Sequence, residues 1–148
     1  MKTVVYGHNY RFVYWAEDVI GLEFRSDAES IGLEDGEGNI LAATVFDNFS
    51  ACDVSMHIAS NGSRAWLNRE FIVRCFAYPF LQCKARRVTA LVASRNERSL
   101  KFTQAFGFVV EGRLKDALPD DDIILFGMTR DVGLGVIRKY SKGALHGR

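Results

Sequence analysis

Residues 87–128 constrain the fold of this chain more than any other stretch, because a strand, a helix and a hairpin follow one another there. The stretch opens with a short apolar run rich in β-branched residues, which is typical of a buried strand. A helical segment begins at Asn96, and we expect it to end before Gly107, since glycine commonly stands just past the last turn of a helix. Two further apolar runs flank a polar loop and predict a hairpin. The three predicted strands are residues 87–94, 108–114 and 123–128.

The first half of the chain carries signals of the same kinds. Apolar residues at helical spacing in residues 10–20 predict a helix that ends at Gly21. Residues 35–39 are turn-forming and separate two apolar runs, so a hairpin is expected there. Residues 51–59 alternate apolar and polar side chains, which predicts a strand buried on one face only. The predicted strands of this half are residues 3–6, 29–33, 40–46 and 51–59.

The two helices of the second half are rich in apolar residues. Residues 64–81 are mostly helical by composition, and because Pro79 cannot donate a hydrogen bond to the preceding turn, we expect this helix to kink or end just before it. Phe102, Ala105 and Phe106 are expected to form the inner face of the next helix. The elements together predict an α+β fold in the order β-α-β-β-β-α-β-α-β-β, with helices on both faces of a sheet.

Bulk composition limits the class of protein. A chain of 148 residues favours one domain with a sizeable core. The formal net charge of +1 argues against a general nucleic-acid-binding surface, so we expect no nucleic-acid partner. Three cysteines without metal-ligand spacing favour reduced thiols over disulfides or a metal site. The sequence shows neither a signal peptide nor an apolar run of membrane-spanning length, and we expect a cytoplasmic protein without a membrane partner.

The order of motifs in residues 87–128 resembles the second half of the GNAT superfamily of acyl-CoA-dependent N-acetyltransferases. In that family an Asn after a strand, a helix, a Gly-Phe pair, a Glu-Gly pair and a hairpin follow one another. Here Asn96, Gly107-Phe108 and Glu111-Gly112 stand at the family's spacing. The resemblance implies a GNAT-like α+β fold, with a mixed, mostly antiparallel central sheet, helices on both faces and a splayed pair of central strands.

The likeness covers residues 1–130, which we expect to form a GNAT-like domain. It is greatest to the short acetyltransferase-like proteins of tailed phages and prophages, which carry Arg-x-Trp-Leu after the fourth strand, as this chain does from Arg64. Residues 131–148 become glycine-containing and basic, and we expect them to form a basic C-terminal extension. A phage-encoded chain of this kind would act in the host cytoplasm or belong to the virion.

The resemblance also implies a site for acetyl-CoA between the fourth and fifth strands. In the family the pantetheine arm bonds to the backbone of the fourth strand, and the diphosphate lies at the N-terminus of the following helix, where unpaired N–H groups favour anions. The family's pantetheine-binding Asn corresponds to Asn96, although an N-cap for the next helix is an equally ordinary role for that residue. The implied cofactor contacts are Ile58, Ala59, Ser60, Asn61, Gly62, Ser63, Arg64, Asn96, Ser99 and Phe102.

Two positions depart from the family pattern. The glycines of the family's phosphate loop would fall within residues 63–69, where Trp66 and Leu67 stand instead. Because glycine lets a backbone approach phosphate closely, residues 61–64 either form the anion site through the charged donors of Arg64 or are a tight turn before a solvated helix start. The family's tyrosine general acid is replaced by Thr103. The implied enzyme is an N-acetyltransferase with a degenerate phosphate loop and no tyrosine general acid.

His57 is the candidate general base on the polar side of the fourth strand. Acetyl transfer requires a neutral amine, so a base or an ordered water must take the proton of the acceptor. Asp53 shares that side of the strand and is the second catalytic candidate. The alternative is that His57 is a hydrogen-bonded structural histidine. Residues 120–122 are three carboxylates that could attract a cationic amine, or that form only a solvated hairpin tip.

Two functions from different classes follow. The first is an N-acetyltransferase that moves an acetyl group from acetyl-CoA to a primary amine, on a protein or a small molecule, by direct transfer. The alternative is a catalytically degenerate GNAT-fold structural or interaction protein, for example a phage particle component, whose basic end docks on an acidic surface. Nucleic-acid binding through that end would depend strongly on salt, but no base-reading motif supports it. A homodimer is compatible with either function.

Overall fold

A computed structural model describes residues 1–7, 10–62, 64 and 68–146. The ten predicted elements occur in the predicted order and are followed by a further helix. The strands are β1 (Thr3–Gly7), β2 (Glu29–Glu34), β3 (Ile40–Asp47), β4 (Asp53–Ser60), β5 (Arg87–Ala93), β6 (Val109–Leu118) and β7 (Asp121–Thr129). The helices are α1 (Tyr10–Ile20), α2 (Arg69–Ala77), α3 (Glu97–Ala105) and α4 (Arg130–His146), and a π-helical turn (Tyr78–Gln82) follows α2.

The strands form one mixed sheet in the order β1-β2-β3-β4-β5-β7-β6. Every neighbouring pair is antiparallel except β4 and β5, which run parallel. Parallel neighbours need a crossover connection, and here α2 and the π-helical turn supply it. The expectation of a mixed, mostly antiparallel sheet is confirmed.

The two central strands separate after a short paired segment. The ladder between β4 and β5 runs only from Asp53–Arg87 to Ser55–Thr89. Beyond that point β4 continues to pair with β3 as far as Ser60, and β5 continues to pair with β7 as far as Ala93. The sheet therefore stays hydrogen-bonded on both outer sides while its centre opens, which confirms the splayed pair.

Helices cover both faces of the sheet, as predicted. The larger core cluster joins the sheet to α2, the π-helical turn and α4, and its buried side chains include Phe46, Phe76, Phe80 and Phe126. A smaller cluster joins β3 and β4 to α1 around Phe12. The polar side of β4 thus lies under α1 and the segment that follows it. In the described part of the chain, no helix is long and apolar enough to cross a membrane.

Two local predictions were wrong, and a third was confirmed. Residues 54–57 of β4 are buried on both faces and not on one, because α1 covers the polar side of the strand. In α3, Ala105 is exposed and Thr103 is buried, whereas Phe106 is buried in the larger core cluster and Phe102 packs against it, as predicted. The break expected just before Pro79 is confirmed, since α2 ends at Ala77 and the π-helical turn follows it. Proline lacks the N–H that a regular turn needs, so the turn widens at Pro79.

The basic C-terminal segment forms helix α4, which the sequence did not predict. Glycine is a poor helix former, and Gly133 and Gly135 obscured the pattern. In the structure Val136 is buried in the larger core cluster, with Ile137 and Tyr140 packed against it. Arg138 and Lys139 lie on the exposed side of the helix.

The two glycines of α4 provide a matched pair of stability predictions. A Cβ at Gly133 would lie 2.2 Å from a ring carbon of the fully buried Phe80, whereas a Cβ at Gly135 would meet no atom within 4 Å. We expect Gly133→Ala to lower the free energy of unfolding by about 1–3 kcal/mol through overpacking. Gly135→Ala should raise it by up to about 1 kcal/mol, because alanine favours the helix. Urea unfolding of both variants measures the two changes, and a shift of the same sign in both would contradict the prediction.

Candidate active site

The separation of β4 and β5 opens a cleft of about 970 Å³. Its walls are residues 56–60 of β4 and residues 90–93 of β5. Helix α3 borders one side of the cleft, and the C-terminal end of α1 and the turn between β6 and β7 also contribute lining residues. The structure therefore has a sizeable cavity at the position where the resemblance implied a cofactor site.

Main-chain groups of β4 face alternately to β3 and to the cleft. In an antiparallel pair, only every second residue exchanges hydrogen bonds with its partner strand. The N–H of Asn61 donates to the C=O of Leu41 at 3.0 Å, in the same register as the β3–β4 ladder. Ala59, two residues earlier, therefore also bonds to β3. Ile58 and Ser60 direct their N–H and C=O groups to the opposite side, into the cleft.

The same alternation applies to β5. The N–H of Ser94 donates to the C=O of Asp122 at 2.9 Å, in the register of the β5–β7 ladder. Val92 therefore bonds to β7, while Leu91 directs its N–H and C=O groups, and Ala93 its N–H, toward β4. The C=O of Ala93 accepts a hydrogen bond of 3.0 Å from the N–H of Asn96. Since β4 and β5 no longer pair with each other at this level, both walls of the cleft present peptide groups that take no part in a strand ladder, those of Ile58 and Ser60 on β4 and of Leu91 on β5.

Helix α3 begins at the edge of the cleft with Asn96 as its N-cap. The side-chain oxygen of Asn96 accepts a hydrogen bond of 3.2 Å from the N–H of Ser99. Capping, one of the two roles predicted for this residue, is therefore observed. Asn96, Ser99 and Phe102 all line the cleft, while their contact with a cofactor remains a prediction.

Basic side chains gather at the mouth of the cleft. Arg64, Arg98 and Lys101 are among its lining residues. The guanidinium of Arg98 donates to the C=O of Gly62 at 2.7 Å, which joins α3 to the loop after β4. Ser63, Trp66 and Leu67 lie outside the described residues, so Asn61, Gly62 and Arg64 are the members of the predicted phosphate loop that can be placed.

The imidazole of His57 makes a buried hydrogen bond with the carboxylate of Asp47 at the end of β3. Its Nε2 lies 2.9 Å from Oδ1 of Asp47, and both side chains are less than a tenth exposed. The other carboxylate oxygen of Asp47 accepts a hydrogen bond of 3.1 Å from the N–H of Arg25. Burial by itself would raise the pKa of Asp47, but the hydrogen bonds from His57 and Arg25 outweigh it, and the pKa is lowered. His57 also lines the cleft.

Asp53 lies apart from His57, at the closed end of the β4–β5 pair. Its carboxylate accepts hydrogen bonds of 3.0 and 2.9 Å from the hydroxyl of Thr89 and lies 3.5 Å from Arg87. Arg87 in turn binds Glu111 at 2.7 Å. Asp53 does not line the cleft, so the structure does not bring the two predicted catalytic residues together.

Sequence reasoning missed Asp47, which is the carboxylate that contacts His57. Asp47 stands opposite Ser55 in the β3–β4 ladder, and His57 is the next residue along β4 on the same face. Diagonal neighbours across a strand pair lie within reach of long side chains. The register of the β3–β4 pair brings Asp47 next to His57, and the alternation of residues 51–59 alone does not predict this contact.

The three carboxylates of residues 120–122 have different environments. Only Asp120 belongs to the turn, since β7 begins at Asp121. Asp121 accepts hydrogen bonds from the hydroxyl of Ser94 and from the backbone N–H of Asp122. The carboxylate of Asp122 pairs with the guanidinium of Arg113 at 2.9 Å. Two of the three are thus bound to their own chain, which disagrees with a fully solvated tip.

The environment of Asp121 predicts a loss of stability in acid. The hydrogen bond from Ser94, together with backbone N–H groups and Arg95, lowers the pKa of Asp121 from 3.8 to about 2. Because the folded-state value is the lower one, the stabilisation is complete above about pH 4 and disappears as the pH falls through about 2. We expect Asp121→Asn and Ser94→Ala to flatten the fall in unfolding free energy over this range. Urea unfolding at several pH values tests this, and slopes equal to that of the unmodified chain would contradict it.

Comparison with known proteins agrees with the geometry. The family described as acetyltransferase (GNAT) domain matches residues 35–122, more than half of the chain. The chain therefore belongs to this family. No curated protein matches the sequence.

Solved structures show the same fold. Mutant forms of the spermidine/spermine N-acetyltransferase SpeG from Vibrio cholerae superpose with a TM-score of 0.71 and 13% identity, covering 91% of this chain and 98% of that chain. A ribosomal-protein-S5-alanine acetyltransferase from Vibrio fischeri has a TM-score of 0.62 and 23% identity, covering 70% of this chain and 62% of that one. At these identities the likeness establishes the GNAT fold and leaves the acceptor open.

Proposed function

We propose that this protein is an acyl-CoA-dependent N-acetyltransferase that moves an acetyl group from acetyl-CoA to a primary amine by direct transfer. The observation that carries the proposal is the cleft between β4 and β5, whose two walls present peptide groups that take no part in a strand ladder. Membership of the GNAT family supports the same conclusion. The acceptor is a primary amine on a protein or a small molecule. We expect the reaction to take place in the cytoplasm.

The cleft has the chemistry that the arm of acetyl-CoA requires. A pantetheine arm is narrow and contains two amide groups, each with one hydrogen-bond donor and one acceptor. Ile58 and Ser60 offer both kinds of group on one wall. On the other wall Leu91 offers both, and Ala93 offers its N–H. A buried peptide group without a partner is costly, so a ligand that pairs with these groups is stabilised at this position.

The mouth of the cleft suits the phosphates of the same molecule. Arg64, Arg98 and Lys101 supply positive charge there, and guanidinium groups bind phosphate through paired hydrogen bonds. This charge compensates for the glycines that the phosphate loop lacks. We assign the arm to Ile58, Ser60 and Asn96 and the phosphates to Gly62, Arg64 and Arg98. Bound there, acetyl-CoA supplies the activated acetyl group.

The proposed chemistry of the chain itself centres on His57. A primary amine in water is mostly protonated and has to lose a proton before it can attack. The imidazole of His57, directed by Asp47, accepts this proton directly or through a water in the cleft. The N–H groups of β4 that face the cleft are donors suited to the negative charge that develops on the carbonyl oxygen of the acetyl group during transfer. Thr103 is buried and is a weak acid, so we assign it no proton transfer.

Calorimetric titration of the protein with acetyl-CoA tests the proposal. We expect a dissociation constant in the micromolar range, about −8 kcal/mol at 1 μM, and weaker binding by Arg98→Ala, which loses a cation at the mouth. Arg138→Ala, on the exposed side of α4, is the matched control and should bind as the unmodified chain does. Absence of binding at millimolar acetyl-CoA would contradict the proposal and favour the alternative, a catalytically degenerate structural or interaction protein.

A further inference from the structure

We propose that Asp47 is a positioning residue that holds the ring of His57 in the tautomer protonated on Nε2, so that Nδ1 is the atom that accepts the proton of the substrate. The role in catalysis rests on the function proposed above. The tautomer and its cause do not, and they can be measured in a protein that transfers no acetyl group.

The tautomer follows from the donors and acceptors of the pair. A carboxylate only accepts hydrogen bonds, and the lowered pKa of Asp47 keeps it ionised at neutral pH. At 2.9 Å from Oδ1 of Asp47, Nε2 of His57 has to carry the hydrogen. In a neutral imidazole only one nitrogen is protonated, which leaves the lone pair on Nδ1.

The unprotonated nitrogen is also accessible. Nδ1 of His57 has no hydrogen-bond partner in the described part of the chain, where the contact with Asp47 is the only side-chain hydrogen bond of this residue. Yet among the described residues no fully buried side-chain nitrogen or oxygen lacks a partner. Nδ1 is therefore not fully buried. His57 is among the residues that line the cleft, so we infer that a substrate or a water reaches this atom from the cleft.

Asp47 also ties the base to the segment between α1 and β2. Its second oxygen accepts a hydrogen bond of 3.1 Å from the N–H of Arg25. The ring of the neighbouring Phe24 packs against the ring of His57, with 4.8 Å between the ring centroids. The N–H of Phe24 is held in turn by Glu17 of α1 at 2.8 Å. The end of α1 lines the cleft. One carboxylate thus sets both the orientation of the base and the position of a cleft-bordering segment.

Nuclear magnetic resonance of the unmodified protein is the direct test. Long-range proton–nitrogen correlation spectra distinguish the two neutral tautomers, and His57→Gln identifies the signals of His57 among the three histidines. At mildly alkaline pH we expect His57 to be protonated on Nε2 alone. A neutral ring protonated on Nδ1, or an even mixture of tautomers, would overturn the proposal without any measurement of activity.

Kinetics of Asp47→Asn test the functional part. Loss of the directing carboxylate in a histidine pair lowers kcat by up to about 10⁴-fold, and we expect a fall of at least about tenfold, with the dissociation constant for acetyl-CoA unchanged. Asp27→Asn is the matched control, because Asp27 also binds backbone N–H groups, those of Asn48 and Phe49, but does not contact His57. This control should keep the kcat and the tautomer of the unmodified chain.

A double variant separates positioning from general damage to the fold. If Asp47 acts through His57, Asp47→Asn should cause little further loss of kcat in a His57→Ala background, because residues that act as a unit are not additive. A full multiplicative loss in the double variant would refute the positioning role. If the unmodified chain transfers no acetyl group, the proposed function fails, while the tautomer spectra still decide whether Asp47 directs the ring.

Discussion

Replacing His57 by alanine is expected to lower kcat by about 10²–10⁴-fold, the usual contribution of a positioned general base. His57 lines the cleft, its Nε2 is bound to Asp47, and its other nitrogen is the available proton acceptor. The affinity for acetyl-CoA should stay nearly unchanged, because the contacts assigned to the arm are main-chain groups of β4 and β5. Steady-state kinetics with a primary amine, together with calorimetric titration, measure the two quantities separately.

Ser55→Ala is the matched control for this variant. Ser55 is a buried polar residue on the same face of β4, two positions before His57, but it lies in the paired part of the strand and does not line the cleft. We expect it to retain the kcat of the unmodified chain. Equal rates in His57→Ala and the unmodified chain would show that His57 is only a structural histidine.

Replacing Ile58 by proline is expected to weaken acetyl-CoA binding by at least tenfold, about 1.4 kcal/mol. Proline has no N–H, and the N–H of Ile58 is one of the groups that face the cleft. The ring would also occupy part of the space that the N–H borders. Because this N–H takes no part in the β3–β4 ladder, β4 should tolerate the change as an edge strand tolerates proline.

Two companion variants make the result specific. Ile58→Val keeps the N–H and should bind acetyl-CoA as the unmodified chain does. Ala59→Pro removes an N–H that bonds to β3, so it should instead destabilise the fold by about 1–3 kcal/mol. Calorimetry and urea unfolding of the three variants measure both effects. Unchanged acetyl-CoA affinity in a folded Ile58→Pro protein would show that the peptide groups of β4 do not hold the arm.

Much of the fold could be predicted because the signals are local. Gly21 and Gly107 adopt positive φ angles of 80° and 110° where they end their helices, a conformation that glycine permits. Asn96 caps α3 in the position that its sequence context indicated. The splayed strands came from the resemblance of the motif order, since no single residue in either strand predicts the separation. Helix α4 escaped prediction because its helical stability comes from packing of Val136 and not from propensity.

The amino-acid pattern by itself determined which segments before residue 130 become strands and helices, and it identified His57 as the histidine to examine. Tertiary structure alone decided that Asp47, and not Asp53, is its partner, and that Ile58 and Ser60, and not Ala59, turn their peptide groups to the cleft. Periodicity within one segment reports only which residues share a face. The neighbour of a side chain and the direction of a peptide group depend on the pairing of strands, which the sequence specifies only through the folded chain as a whole.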